Sequence, residues 1–229
     1  MLMAMIEEVA NHHYFDHGFD VAAVKLLPNQ YYVTDKEMLL TTVLGSCIAV
    51  CMSDRIAGVG GMNHFMLPDL EQRSDDGKPS PVPTRDMRYG TYAMQVLLEQ
   101  LMKAGAQRER LEVKVFGGGA VLDNMRALNI GERNSEFILR YLRNVGIPVA
   151  AQDLGGNFPR RVLYFPKSGV TMVRTLRRKN DLQLVQTQEI QEISDTRKWL
   201  IRTQPAPFFV AKQTELEKYS GGIGSGSEK

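Results

Sequence analysis

The chain holds two cysteines and four histidines. One histidine follows the first cysteine by seventeen positions in the stretch TTVLGSCIAVCMSDRIAGVGGMNHFMLP, Thr41 to Pro68. Cys47 and His64 are therefore the residues whose types could do chemistry together, a thiol nucleophile with an imidazole as its base. A thiol attacks only as thiolate, and an ordinary pKa near 8.5 leaves a few per cent of that form at neutral pH. An adjacent imidazolium raises the fraction by up to about thirtyfold, or about 2 kcal/mol in the reactive population. The setting Gly45-Ser46-Cys47 suits the role, because glycine lets the backbone turn tightly at a strand edge. The sulfur then comes within reach of substrate and of amide N–H groups beside a forming oxyanion. Core packing is the competing use, and the commoner one for a cysteine in a strand. Cys51, which follows Ile-Ala-Val inside the run, fits that use.

Other combinations offer less. A zinc site from Cys47, Cys51 and His64 would need a fourth ligand or a bound water, and a C-x3-C spacing on a strand is not a knuckle. His12, His13, Asp16, His17 and Asp20 have a metal-like composition without a ligand pattern and are read as a solvated segment. Gly117-Gly118-Gly119 lacks both G-x-G-x-x-G and a following Gly-Lys-Ser/Thr, so it is a place of close backbone approach rather than a phosphate loop. No cofactor or metal is expected.

The elements that must position Cys47 and His64 are legible from apolar periodicity. TTVLGSCIAVCMSD and IAGVGGMNHFML read as two strands joined by a turn at Asp54-Arg55. Antiparallel pairing of the two would bring Cys47 at the start of one beside His64 at the end of the next. RYGTYAMQVLLEQLMKAG reads as a helix with Tyr92, Val96, Leu97 and Leu101 on one face and Gly105 as its stop. LEVKVFGGG is an alternating strand running into a glycine turn. RNSEFILRYLRNVG is a second helix, with Asn134 as N-cap, Phe137, Ile138, Tyr141, Leu142 and Val145 buried, and Gly146 as stop. IPVAAQDLGG, RRVLYFP and GVTMVRTL complete the strands. The mixture indicates an α/β or α+β layered sandwich, a central mixed β-sheet covered by helices.

At 229 residues, 43% hydrophobic and 24% charged, the chain has enough material for one sizeable core. Residues 1–30 read as an N-terminal extension, 31–212 as the folded domain and 213–229 as a disordered Gly/Ser-rich tail. A formal net charge of +2 does not call for nucleic acid, although Arg174, Arg177, Arg178 and Lys179 form a local basic cluster. Two cysteines four positions apart make no disulfide framework, which points to a reducing, cytoplasmic location. No run approaches the roughly 18 apolar residues of a membrane span, and the N-terminus lacks the features of a signal peptide, so membrane insertion is not expected.

LGSCIAVCMSD, GGMNHFMLP, RYGTYAMQVLLEQLMKAGA, KVFGGGA, IGERN and DLGGNFPRRVLYF stand in the order and at the spacings of the CheD family, the chemoreceptor glutamine deamidases. The resemblance covers about residues 31 to 175. It implies that Cys47 is the nucleophile, His64 its base, and Thr41, six residues before the cysteine, the third member of the site. It implies thioester chemistry without a cofactor: Cys47 attacks a receptor glutamine, ammonia leaves, and water releases glutamate. The same thioester forms from a glutamate methyl ester, so methylesterase activity is implied as well. The resemblance implies that Ser46 and Gly45 supply the oxyanion surroundings and that Asn63, Gly60, Gly61, Gly117 and Gly118 shape the site. A fold resembling the cysteine-histidine deamidase toxins is implied. So are two kinds of partner, the cytoplasmic helical domain of chemoreceptors and a CheC-type phosphatase. With the latter the chain would serve chiefly as a regulatory binding module.

Overall fold

Strand β5 (Ile48–Asp54) is the axis of the molecule. Every one of its residues is buried, because both of its faces are covered, and a strand covered on both faces needs an unbroken apolar run rather than alternation. Its even-numbered side chains Ile48, Val50 and Met52 pack with Leu97, Leu101, Phe137 and Ile138 in one core. Its odd-numbered Ala49 and Cys51, with Cys47 just before the strand, pack with Leu40, Leu44, Met62, Phe116, Val162 and Tyr164 in another. One strand thus feeds two cores through its period of two.

The computed structural model describes residues 8–68, 71–73, 79–81, 85–121, 129–177 and 187, all within the unit spanning 1–189. In chain order the strands are β1 (His12–Asp16), β2 (Val21–Lys25), β3 (Gln30–Thr34), β4 (Leu39–Leu44), β5, β6 (Val59–Phe65), β7 (Glu71–Arg73) and β8 (Pro79–Pro81). After helix α1 (Gly90–Lys103) come β9 (Glu112–Gly117), helix α2 (Ile130–Asn144), β10 (Val149–Leu154), β11 (Arg160–Phe165) and β12 (Val170–Thr175). One five-stranded sheet runs β10-β9-β5-β6-β3 and a second runs β1-β2-β4-β11-β12, while β7 and β8 pair with each other. Both large sheets are mixed: β9–β10 and β2–β4 are parallel pairs, and the remaining ladders are antiparallel.

The layers are therefore helices, first sheet, second sheet. The expected central mixed sheet with helices is present, but helices cover only one of its faces, and the second sheet covers the other. TTVLGSCIAVCMSD, read as one strand, is two strands in different sheets, because Gly45-Ser46-Cys47 carries the chain across the gap. The segment expected as an N-terminal extension supplies β1 and β2 to the second sheet, where Val24 and, just beyond β2, Leu26 are buried. The tail at 213–229 lies outside the described residues.

Helix α1 buries Ala93, Met94, Val96, Leu97 and Leu101, the stripe that the 3.6-residue period predicts. Gly105 follows its end at φ 96°, a left-handed position that ends a helix at little cost only for glycine. Helix α2 begins four residues before Asn134, after Asn129 at φ 44°. Asn134 thus lies inside the helix on its buried face rather than at the cap, because its side chain has tertiary partners.

The β5–β6 turn is fastened by Asp54. This fully buried carboxylate accepts from the N–H groups of Ile56 and Ala57, from Gln107 N–H, and from Arg110 Nη2 at 2.6 Å. The Arg110 guanidinium, aided by the N–H groups of Gln107 and Ala57, holds the Asp54 carboxyl well below the usual carboxylate range. Its stabilisation is accordingly present above the unfolded value near 3.9 and is lost as pH falls below it. Asp54→Ala should lower the unfolding free energy at neutral pH by about 3 kcal/mol, read as a reduced urea midpoint. The difference from wild type should shrink as pH drops below about 4.

Candidate active site

The crossing from β4 to β5 is held by its carbonyl groups. Gly119 N–H donates to the Gly45 carbonyl at 2.7 Å and Gly118 N–H to the Cys47 carbonyl at 2.9 Å. Asn134 Nδ2 donates to the Ser46 carbonyl at 3.0 Å and to the Met66 carbonyl at 2.7 Å. All three carbonyls of the loop are thus taken by groups behind it, and the loop conformation is set by Gly118 and Gly119 after β9 and by Asn134 of α2. The contact is close enough to require glycine. Gly117 has φ 119° and a Cβ there would lie 2.0 Å from the Cys47 carbonyl oxygen, while Gly118 has φ 66°. Close backbone approach is what the glycine run does.

The register expected for the pair is present: β5 and β6 are antiparallel, with Ala49 opposite His64 and Ile48 opposite Phe65. Cys47 and His64 therefore lie diagonally on the same face of the first sheet, the face turned toward the second sheet. Both are buried, at 4% and 1% exposure. Burial is the whole cause of a His64 pKa lowered to about 3. The imidazole is neutral at pH 7, in contrast to the imidazolium half of an ion pair.

The threonine that meets His64 is Thr42. Its Oγ1 lies 2.8 Å from His64 Nδ1 and donates its proton to the Leu26 carbonyl at 2.9 Å. A hydroxyl has one proton, so with that proton on Leu26 the His64 Nδ1–H is the donor to Thr42. This tautomer leaves the lone pair on Nε2, which is buried and makes no hydrogen bond among the described residues. Thr41, expected to complete the site, donates instead to the Val162 carbonyl at 2.9 Å. The reason is the strand period. Leu40, Thr42 and Leu44 share one face of β4, with Leu40 and Leu44 in the inter-sheet core, and Thr41 points the other way. That alternation was readable in the sequence.

Asn63, expected to shape the site, faces α1. Its Oδ1 accepts from Val50 N–H at 3.1 Å and its Nδ2 donates to the Ala93 carbonyl at 3.0 Å. Gly60 and Gly61 sit toward the other end of β6, opposite Ser53 and Met52. Two residues that sequence reasoning did not assign to the site do support the loop. Asn134 was discernible as a polar residue in phase with the buried Phe137, Ile138 and Leu142. Arg160 is buried, pairs with Asp153 at 2.6 Å and donates to the Asp153 and Gly155 carbonyls. Gly155 N–H in turn donates to the Gly117 carbonyl at 2.9 Å. Cys51 is fully enclosed, and burial pushes its thiol up, away from the thiolate form. Among the described residues no three His, Cys, Asp or Glu side chains are grouped to hold a metal ion, and no helix is long and apolar enough to cross a membrane.

Comparison with known proteins places the chain among relatives of one kind. A family described as CheD chemotactic sensory transduction matches residues 66–175. A protein of Cupriavidus metallidurans named "Probable chemoreceptor glutamine deamidase CheD" is 56% identical over 185 residues, 81% of this chain and 82% of the relative. Proteins of the same name from Herminiimonas arsenicoxydans and Thiobacillus denitrificans are 51% and 48% identical. These alignments cover 80% and 82% of this chain and 88% and 91% of the relatives. With identity at this level across most of both partners, and with the Cys47 crossing and His64 set on one sheet face, the chain belongs to the CheD family.

Proposed function

We propose that this protein hydrolyses the side-chain amide of glutamine in the cytoplasmic helical domain of chemoreceptors, with Cys47 as nucleophile and His64 as its base. The observation that carries the reading is the His64 geometry: Nδ1 pinned by Thr42 on a buried imidazole that shares a sheet face with Cys47. Family membership and the names of the relatives support the substrate class. No cofactor enters the reaction.

His64 Nε2 takes the Cys47 proton as the sulfur bonds to the amide carbon, which is how a neutral base works without a resting ion pair. The proton passes to the amide nitrogen, the C–N bond breaks and ammonia leaves a thioester. Water then gives a proton to His64 and adds to the thioester carbon, the C–S bond breaks, and the thiol regains its proton beside a glutamate product. The peptide N–H groups at Ser46 and Cys47 are the donors we assign to the oxyanion, since the tied-back loop holds them in place before charge develops. Thr42 takes the orienting role expected of Thr41. A glutamate methyl ester gives the same thioester with methanol leaving. The layered architecture supports the likeness to the cysteine-histidine deamidase toxins. A CheC-type phosphatase, where one is made, would cover the Cys47 crossing and compete with receptor. Action is from the cytosolic side.

Mass spectrometry of a receptor cytoplasmic fragment after incubation should show a gain of about one mass unit per converted glutamine; no gain with folded protein would overturn the reading. Cys47→Ala should lower the rate by at least about 10³-fold, while Cys51→Ala keeps most of it, because only the first lies in the crossing loop. Equal losses in two folded variants would remove that division of roles.

The threonines separate on the same assay. Thr42→Val should lower kcat by about tenfold or more by freeing the imidazole and its tautomer. Thr41→Val should change mainly stability, by about 1 kcal/mol; a larger kcat loss at Thr41 would return the role to it.

Neutral burial of His64 also sets a sign for stability against pH. The unfolded imidazole binds a proton below about 6.5, and the folded one only near 3, so stability falls as pH drops through that window. Between pH 6.5 and about 4 the urea midpoint of wild type should decline more steeply than that of His64→Gln. Parallel declines would mean that His64 is protonated in the folded protein.

A further inference from the structure

One end of the second sheet forms a rim beside the Cys47 crossing. Arg160, the first residue of β11, lies opposite Leu44 on one side and Thr175 on the other. The residues before β11 and after β12 therefore stand at the same end of the sheet as Gly45-Ser46-Cys47. Two strand spacings, about 10 Å, separate β12 from β4. Leu176 N–H donates to the Pro159 carbonyl at 2.8 Å, which fastens the two segments together. On this rim Phe158 is 41% exposed, and the Arg177 guanidinium carbon sits 5.5 Å from its ring centroid. The rim is tied to the crossing through the backbone: Ala120 N–H donates to the Gly156 carbonyl at 2.8 Å, and Gly119 N–H to the Gly45 carbonyl at 2.7 Å.

Arg177 differs from the arginines that build the fold. Arg55, Arg88, Arg110 and Arg160 each pair with a carboxylate. Arg177 is exposed, as are Arg174 and Arg161, cross-strand neighbours on β12 and β11. None of these three has a carboxylate partner among the described residues. Stacking on an aromatic ring uses the face of a guanidinium and leaves its in-plane N–H groups for a two-pronged bond to a carboxylate. It also restricts the side chain in advance, which reduces the ordering cost of binding.

We propose that Phe158 and Arg177 form a docking element for the protein substrate. Arg177 takes a carboxylate that lies one to two helical turns from the glutamine entering at Cys47. The spacing is on the scale of the two strand spacings between β4 and β12: a rise of 1.5 Å per residue puts side chains four and seven positions away at about 6 and 10 Å. The occupant is therefore an acidic helical segment with the target glutamine on the same face as the carboxylate. The inference rests on the deamidase reading and narrows it to glutamines with that neighbour.

The test uses the full chain and two soluble helical peptides with one glutamine each, carrying either Glu or Ala at the positions four and seven residues away. Wild type should convert the Glu peptide with a kcat/KM about tenfold higher, and the preference should shrink as salt rises. Arg177→Gln and Phe158→Ala should bring the preference to within about twofold while leaving the rate on the Ala peptide unchanged; Arg177→Lys should keep only part of it. A preference that survives Arg177→Gln, or a wild type that converts both peptides equally, would overturn the docking role and leave deamidation standing. Wild type that converts neither peptide nor a receptor fragment would overturn both.

Discussion

The structure depends on how three peptide units cross from one sheet to the other. Gly45, Ser46 and Cys47 must leave the second sheet, span the inter-sheet gap and enter β5 with the sulfur on the correct face. Their carbonyls would be costly to bury without donors. Gly118 and Gly119 N–H groups and the Asn134 amide supply them. That requirement accounts for features that are otherwise unrelated: a glycine run after β9, a polar residue on the buried face of α2, and an arginine inside the second sheet that fastens the 153–155 segment behind the glycine run.

The second constraint is dielectric. The inter-sheet core holds Leu40, Leu44, Met62, Phe116 and Val162 around the site, so His64 gains nothing from carrying a charge there. What the site has instead is a fixed proton direction. The Leu26 carbonyl takes the Thr42 proton, Thr42 takes the Nδ1 proton, and Nε2 is left basic. The orientation comes from hydrogen bonds between neutral groups, whereas a Ser-His-Asp triad uses a carboxylate to orient its histidine.

Much of this was legible in the sequence, for physical reasons that differ by element. Helix α1 was readable because its stripe is amphipathic and a glycine ends it. The β5–β6 hairpin was readable because Asp54-Arg55 interrupts two short apolar runs, and its register followed from antiparallel pairing. Residues whose partners are distant in the chain were not readable. Asn134 has the composition of an N-cap and only the Ser46 and Met66 carbonyls, 88 and 68 positions away, reveal its use. The second sheet escaped notice because β1 and β2 are short and partly exposed. Their place is fixed by β4, which itself reads as continuous with β5 until Gly45-Ser46-Cys47 is seen as a crossing. That Thr42 rather than Thr41 faces His64 needed only the strand period, once β4 was known to face a core on one side.

The extended geometry around β5 has a further consequence, for redox behaviour. Cys47 and Cys51 share a face four positions apart, and at about 3.3 Å of rise per residue their Cα atoms are separated by on the order of 13 Å. A disulfide needs Cα atoms within about 7 Å, so no intramolecular bond can join the two thiols while the strand is intact. Cys51 is the only other cysteine, and it is enclosed in the core. Oxidation of Cys47 to a sulfenic acid therefore has no resolving thiol within the chain. Its reversal must come from a thiol outside the chain, which ties the oxidation state of Cys47 to the reducing state of the surrounding solution.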